Sequence, residues 1–231
     1  TCALPIWHEL SAPPRLEEAR RLYRLRLFCT QGDIELGWLP RAVAEPLAEA
    51  VTLGWYRYHA SRVLPLAEQC LGQLEAGYLR HSHWRRLKAL VAGEPVDWSA
   101  CPPPASLDDR ARAAFELVAT LQAADEAWWE QCCQDYCRQA LAEHAALFDG
   151  LEAHPLTPAQ RLACVVDEDH NLVLAGAGCG KTSVMAARAA FLLASRQARA
   201  DDLLLLAFGN EAAAEMAERL ARRPETTPVK V

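Results

Sequence analysis

Between an apolar run and a helical pattern stands the segment Ala175-Gly176-Ala177-Gly178-Cys179-Gly180-Lys181-Thr182-Ser183. Few folds can accommodate it. Glycines at 176, 178 and 180 let the backbone turn with its N–H groups inward and no side chains in the way of an approaching anion. The helix that follows adds its own unpaired N–H groups and the positive end of its dipole. In this pattern Lys181 is placed to reach the β and γ phosphates of a nucleoside triphosphate, and the Thr182 hydroxyl to ligate Mg²⁺. The strict G-x-x-x-x-G-K-[ST] pattern has glycine where this chain has Ala175. Cys179 is read as a tolerated small spacer within the loop.

The elements around the loop predict an α/β fold. A short helix at Pro158 to Val166 is followed by an apolar strand at Asn171 to Ala175 and a helix at Lys181 to Ser195. A second apolar strand at Leu203 to Phe208 and a helix at Asn210 to Arg222 complete the series. Strands that are apolar throughout and alternate with helices belong to a buried parallel sheet. Before His154-Pro155 the pattern is different and mostly helical. Leu25, Leu27 and Cys29 alternate with polar residues, Gln31-Gly32-Asp33 supplies a turn, and Ile34, Leu36 and Trp38 alternate again, which predicts a β-hairpin over Arg24 to Leu39. A helix from Pro40 to about Leu79 follows, with a kink or break expected at Pro65. A basic helix from Tyr78 to Val91 ends at Gly93, and the proline-rich stretch Glu94 to Ala105 reads as an irregular connector. Ser106 is the expected N-cap of one long helical pattern running to Leu151, stable only if packed antiparallel on the Pro40 to Leu79 helix. The division expected is a helical N-terminal domain over 1–155 and a phosphate-loop domain over 156–231.

The formal charge of −6 argues against holding nucleic acid by bulk positive charge. Lys and Arg balance Asp and Glu after His154, so the acidity lies before it. Nine cysteines, odd in number and scattered, do not suggest a disulfide framework. No apolar run approaches the ~20 residues of a membrane span and no leader pattern is seen, so a cytoplasmic location without membrane contact is expected. Thr1 and the polar run Arg223 to Val231 read as cut ends.

Sequence neighbours narrow the class. Leu156-Thr157-Pro158-Ala159-Gln160 resembles the Q motif of the UvrD/Rep-like superfamily 1 helicases, and LLLLAFGNEAAAEMAERL from Leu203 to Leu220 resembles their motif Ia. The wording AGAGCGKTSV and AFG before A-A-x-E-M is most similar to the helicase IV branch. The resemblance implies a RecA-like motor domain of which only the first part is present. It implies that Gln160 selects ATP, that Ala175 to Ser183 hold ATP with Mg²⁺ on Thr182, and that Phe208, Gly209 and Asn210 contact single-stranded or partly duplex DNA, with Phe208 as a stacking surface. Glu211 stands where the family often has a basic residue. The activity implied is ATP-driven 3′ to 5′ translocation and unwinding. The later carboxylate pair and arginines cannot be assigned, so the chain reads as an N-terminal fragment that by itself binds nucleotide weakly. Alternatives are a HelD-like ATPase whose long helical arm engages RNA polymerase, and a non-catalytic interaction fragment.

Two other constellations stand out. Cys132, Cys133, Cys137 and His144 could form a helical metal site, but buried thiols along a helix seam are the commoner arrangement. Arg80, His81, His83, Trp84, Arg85, Arg86 and Lys88 interleave cations with an aromatic as a nucleic-acid surface does, although a solvated helix face is the default.

Overall fold

A computed structural model describes residues 9–151, 155–176, 178–221 and 229–230. It is mostly helical with one three-stranded antiparallel sheet. The chain separates into two compact units, one made of residues 1–75 and 83–125, the other of 76–82 and 126–231. These units do not coincide with a division at residue 155.

In the first unit, β1 (Arg15–Ala19), β2 (Leu22–Leu27) and β3 (Ile34–Pro40) pair in sequence order. The expected hairpin is β2 and β3, with Leu25 opposite Leu36. β1 was not expected, because Arg-Leu-Glu-Glu-Ala has no clean alternation; it is held by the tight turn at Arg20, whose φ is +61°. Alternation along β2 buries Leu25 and Leu27, while Arg24 and Arg26 on the opposite face share Glu35 at 3.1 and 2.5 Å.

α1 (Arg41–Leu74) runs through both Pro46 and Pro65 without ending. A proline inside a helix costs about 3 kcal/mol or more. The buried face of α1 outweighs that cost, since Trp55, Tyr56, Val63 and Cys70 are all fully buried, and each large apolar side chain contributes roughly 1.5–3 kcal/mol. Around Trp55 and Tyr56 gather His59, Trp98 and Phe115, with ring centroids 4.5–5.7 Å apart. Their polar edges are largely satisfied: Trp55 Nε1 donates to the Leu10 carbonyl at 3.1 Å and the Tyr56 hydroxyl to that of Cys101 at 2.6 Å. The proline-rich connector therefore carries a core residue, Trp98, on a short 3₁₀ turn at Trp98–Ala100. Gln122 holds it in place through Trp98 N and the Val96 carbonyl, both at 2.8 Å.

α2 (His81–Ala92) stops at Gly93 as expected. The long helix expected from Ser106 to Leu151 is instead three: α3 (Asp109–Ala123), α4 (Glu126–Glu143) and α5 (Ala145–Asp149). The N-cap of α3 is Asp108, whose carboxylate accepts from Ala111 N at 2.9 Å, while Ser106 lies outside the helix. α3 packs on α1 in the antiparallel sense expected, with Arg110 meeting Glu68 and Phe115 meeting Tyr56. The interruption after Ala123 has a visible cause. Lys88 Nζ donates to the carbonyls of Leu121, Gln122 and Ala124 at 3.0, 3.0 and 2.7 Å. These are acceptors that a continuing helix would give to its own next turn.

In the second unit α4 and α5 pack with α6 (Pro158–Val165) and α7 (Lys181–Ala194) around Cys137, Phe148, Cys164, Val184 and Phe191. α8 (Asn210–Ala221) lies on the other side of α7 through Met216 and Leu220 against Ala186 and Ala189. The cysteines serve this packing. Cys133 Sγ lies 3.4 Å from the Leu79 carbonyl, Cys137 is in the core, and His144 packs edge-on to Phe191. Burial pushes the Cys137 thiol up to about 11. No cluster of metal-ligating side chains occurs among the described residues.

Neither apolar segment expected as a parallel strand forms one. Residues 171–175 are extended without a ladder partner, and of 203–208 only Leu204 makes a single parallel bridge, to Lys230. A strand exists only as part of a ladder. Without one, Leu172 and Leu174 are 84% and 85% exposed. Among the described residues no helix is long and apolar enough to cross a membrane.

Candidate phosphate-binding site

The loop is built by two left-handed glycines. Gly178 and Gly180 have φ of +75° and +74°, and Gly180 is the N-cap from which α7 starts at Lys181. A side chain at Gly180 would be strained by that φ and would also meet Gln160 Nε2 at 3.0 Å. Lys181 is folded back over the loop, with Nζ donating to the Gly176 carbonyl at 2.8 Å and reaching that of Ala175 at 3.4 Å. Thr182 and Ser183 follow in the first turn of α7, both half-buried. Ala177, part of the loop read from the sequence, lies outside the described residues.

Gln160 is fixed from both ends. It occupies the third position of α6 in a capping box, its backbone N–H donating to Thr157 Oγ1 at 3.3 Å and its Oε1 accepting from Thr157 N at 2.8 Å. Its Nε2 donates to the Cys179 carbonyl at 3.0 Å, so one side chain ties the start of α6 to the glycine loop.

A cavity of about 1050 Å³ opens here. Its wall includes Gln160, Ala175, Gly176, Gly178, Cys179, Gly180, Lys181 and Ser183, so these expected site residues share one space. Thr182 sits beside it in sequence without lining it, and Phe208, Gly209 and Asn210 are not on its wall. Phe208 is fully exposed, and Asn210 opens α8.

Two arginines on the cavity wall were not singled out from the sequence. Arg188 Nη1 donates to the carbonyl of Val166 at 2.5 Å, at the C-terminus of α6, and its Nη2 to Asp167 Oδ1 at 2.7 Å. The other oxygen of Asp167 takes Arg80 at 2.5 Å. Alongside, Glu168 and Asp169 accept from the backbone N–H groups of His81 and Ser82 at 3.1 and 3.0 Å, capping the first turn of α2. Arg80, Trp84 and Lys88 are therefore structural, and only Arg85 and Arg86 of the basic stretch are classed as exposed. Arg219 donates to Ser183 Oγ at 2.6 Å and to Glu215 Oε1 at 2.7 Å.

The stretch that holds the glycine loop, Lys181 and Gln160 is matched by the family model for the UvrD/REP helicase N-terminal domain, over residues 156–230. The chain is similar to DNA helicase IV of Escherichia coli, with 50% identity over 96 residues that make up 42% of this chain and 14% of that protein. It is also similar to the ATP-dependent DNA helicase UvrD1 of Mycobacterium leprae, with 47% identity over 76 residues, 33% of this chain and 9% of that protein. The chain thus matches about a seventh or less of the length of these relatives. No solved structure matches it.

Proposed function

We propose that this chain is the nucleotide-binding opening of an ATP-dependent DNA helicase that moves 3′ to 5′ on single strands, with residues 156–231 beginning a RecA-like domain and the exposed leucines of 171–175 and 203–206 belonging to its parallel sheet. The observation that carries the reading is the convergence of the two left-handed glycines, Lys181 and Gln160 on one cavity. The residues fit Mg-ATP. The cavity has the size of a nucleotide site, no described atom lies within 4 Å of where a Cβ at Gly178 would stand, and Lys181 needs only to exchange neutral carbonyl acceptors for anionic phosphate oxygens, which adds charge–charge attraction to a bond whose donor is already ionised. Thr182, in the first turn of α7 next to Lys181, is the hydroxyl that would hold a Mg²⁺, which would supply charge neutralisation for the phosphates. Gln160 already presents its amide at the loop, and the same amide would read adenine.

Phe208, fully exposed at the start of α8, is the proposed stacking surface for a DNA base, with Gly209 and Asn210 beside it. Stacking of this kind contributes roughly 1–3 kcal/mol per base and is indifferent to sequence, as a translocating motor requires. Turnover is proposed as a property of the longer protein, whose later carboxylates and arginines complete the site, working in the cytoplasm on DNA. The alternative of an RNA polymerase-engaging arm rests on an antiparallel pair over Pro40 to Leu79 and Ser106 to Leu151; α1 and α3 do pack antiparallel, but the second helix is interrupted after Ala123. The test is strand displacement by the full-length protein on duplexes with 3′ or 5′ tails. Unwinding from the 3′ tail with ATP, abolished by Lys181→Ala, is expected; unchanged activity in Lys181→Ala would remove the nucleotide assignment, and equal use of both tails the polarity.

A further inference from the structure

We infer that Arg219 is a positioning residue through which α8, the helix that opens at the Phe208–Asn210 turn, is tied to the phosphate loop, so that DNA at that turn and nucleotide in the cavity favour each other. The inference rests on the function proposed above.

Its basis is a specific chain of bonds. Ser183 lies in the first turn of α7, next to Lys181 and Thr182, and lines the cavity. Its Oγ accepts from Arg219 Nη1 at 2.6 Å. A guanidinium has only donors, so the hydroxyl must be the acceptor in this bond, and the Ser183 proton is left to be given elsewhere. Glu215, one turn earlier on α8, orients Arg219 by accepting its Nε at 3.2 Å and its Nη2 at 2.7 Å. The guanidinium is itself part of the cavity wall, a second cation there beside Lys181.

The other end of the lever is Asn210, nine residues earlier on a continuous helix, about 13 Å along its axis at 1.5 Å per residue. α8 is held on α7 by Met216 and Leu220 packing against Ala186 and Ala189, so a displacement at its start is carried along a packed, rigid element. An anion in the cavity attracts Arg219 and draws its helix toward the loop; a ligand that fixes the helix at Phe208 holds Arg219, and with it Ser183, in place. Coupling of this form is reciprocal, and its usual range corresponds to a change of about 5- to 150-fold.

The experiment measures ATP turnover by the full-length protein with increasing single-stranded DNA, each variant compared with its own rate in the absence of DNA. Arg219→Ala is expected to lose at least about fivefold of the stimulation, and because the coupling is reciprocal the DNA concentration giving half the effect at saturating ATP rises with it, while DNA affinity in the absence of nucleotide stays as in the unaltered protein. Arg219→Lys, which keeps one donor toward Ser183, should recover part of it. Ser183→Ala removes the same bond from the other side by a change of one atom, so it carries the test if Arg219→Ala does not fold. The double variant should be no worse than the more affected single one. Wild-type stimulation in both Arg219→Ala and Ser183→Ala, or strictly additive losses, would overturn the inference. Lys181→Ala, run in parallel, separates the two readings. Full turnover there defeats the nucleotide assignment and this inference with it, whereas a dead Lys181→Ala beside normally stimulated Arg219→Ala defeats the inference alone.

Discussion

His59 shows how much a single ring can depend on its surroundings. It is buried between Trp55 and Trp98, and its Nδ1 lies 2.9 Å from Arg62 Nη2. Arg62 can only donate, so Nδ1 is the acceptor and the proton sits on Nε2, which has no hydrogen-bond partner in the aromatic cluster. Burial drives its pKa down to about 4, the neighbouring Arg62 charge adds to the effect, and Glu94 opposes it in part. Burial, the largest single influence on Glu94, would raise its carboxyl, but the bonds to Arg62, the Arg62 charge and the Val96 N–H together leave it lowered. The sign of the linkage follows. An unfolded histidine takes up a proton near its ordinary value of 6.5, whereas the folded one resists until about 4. The stability held at neutral pH is therefore lost as pH falls through that interval, by about 2 kcal/mol at about pH 5. Urea denaturation of the first unit, followed by tryptophan fluorescence, should show a lower midpoint at about pH 5 than at about pH 7. His59→Phe should flatten the difference; an undiminished difference in that variant would assign the pH dependence to other groups.

At the scale of elements, helix boundaries here are decided by partners in space. The sequence from Asp108 to Leu151 contains no proline and no glycine before Gly150, and its periodicity gives no reason to stop at Ala123. The ammonium of Lys88 supplies the reason by taking three carbonyls at the end of α3. Lys88→Met keeps the aliphatic stem but leaves those carbonyls without their donor, and the expected loss is about 1–3 kcal/mol. A thermal melt should show it as a lowered transition; an unchanged one would mean that water replaces the ammonium at no cost. The opposite case is α1, where Pro65 is a strong stop signal that does not stop the helix, because the aromatic and aliphatic face around it is fully buried. The proline-rich connector belongs with these two, since composition marks it as irregular but not as the segment that delivers Trp98 to the core.

For the molecule as a whole, the exposed leucines matter most. Leu172, Leu174, Leu204 and Leu206 are between 65% and 85% exposed on two extended segments, while Leu205 between the last two is buried against α7 and α8. Apolar segments whose backbone lies largely outside any sheet ladder are a template for pairing with other strands. The isolated 231-residue chain should therefore self-associate with rising concentration in sedimentation experiments. Replacing Leu172 and Leu174 with threonine should reduce that association without lowering thermal stability, since neither side chain is in the core; association that persists unaltered would place the sticky surface elsewhere.

By itself, the sequence determined the glycine loop and its flanking helices, the glutamine and threonine of the α6 capping box, and the β2–β3 hairpin. Each is a local signal in which backbone conformation follows from nearby residues: glycine at positive φ, an N-cap three residues before its partner, alternation about a turn. Tertiary structure decided what depends on groups distant in the chain. Arg80, 87 residues before Asp167, anchors 76–82 to the second unit, Lys88 ends a helix more than thirty residues away, and Arg219 reaches Ser183 from 36 residues along the chain. Long charged side chains on amphipathic helices look alike in sequence, because a solvated arginine and one that holds a carbonyl or a carboxylate have the same spacing. Their partners are chosen by packing of the apolar faces, which brings remote polar groups within hydrogen-bond reach only once the helices have met.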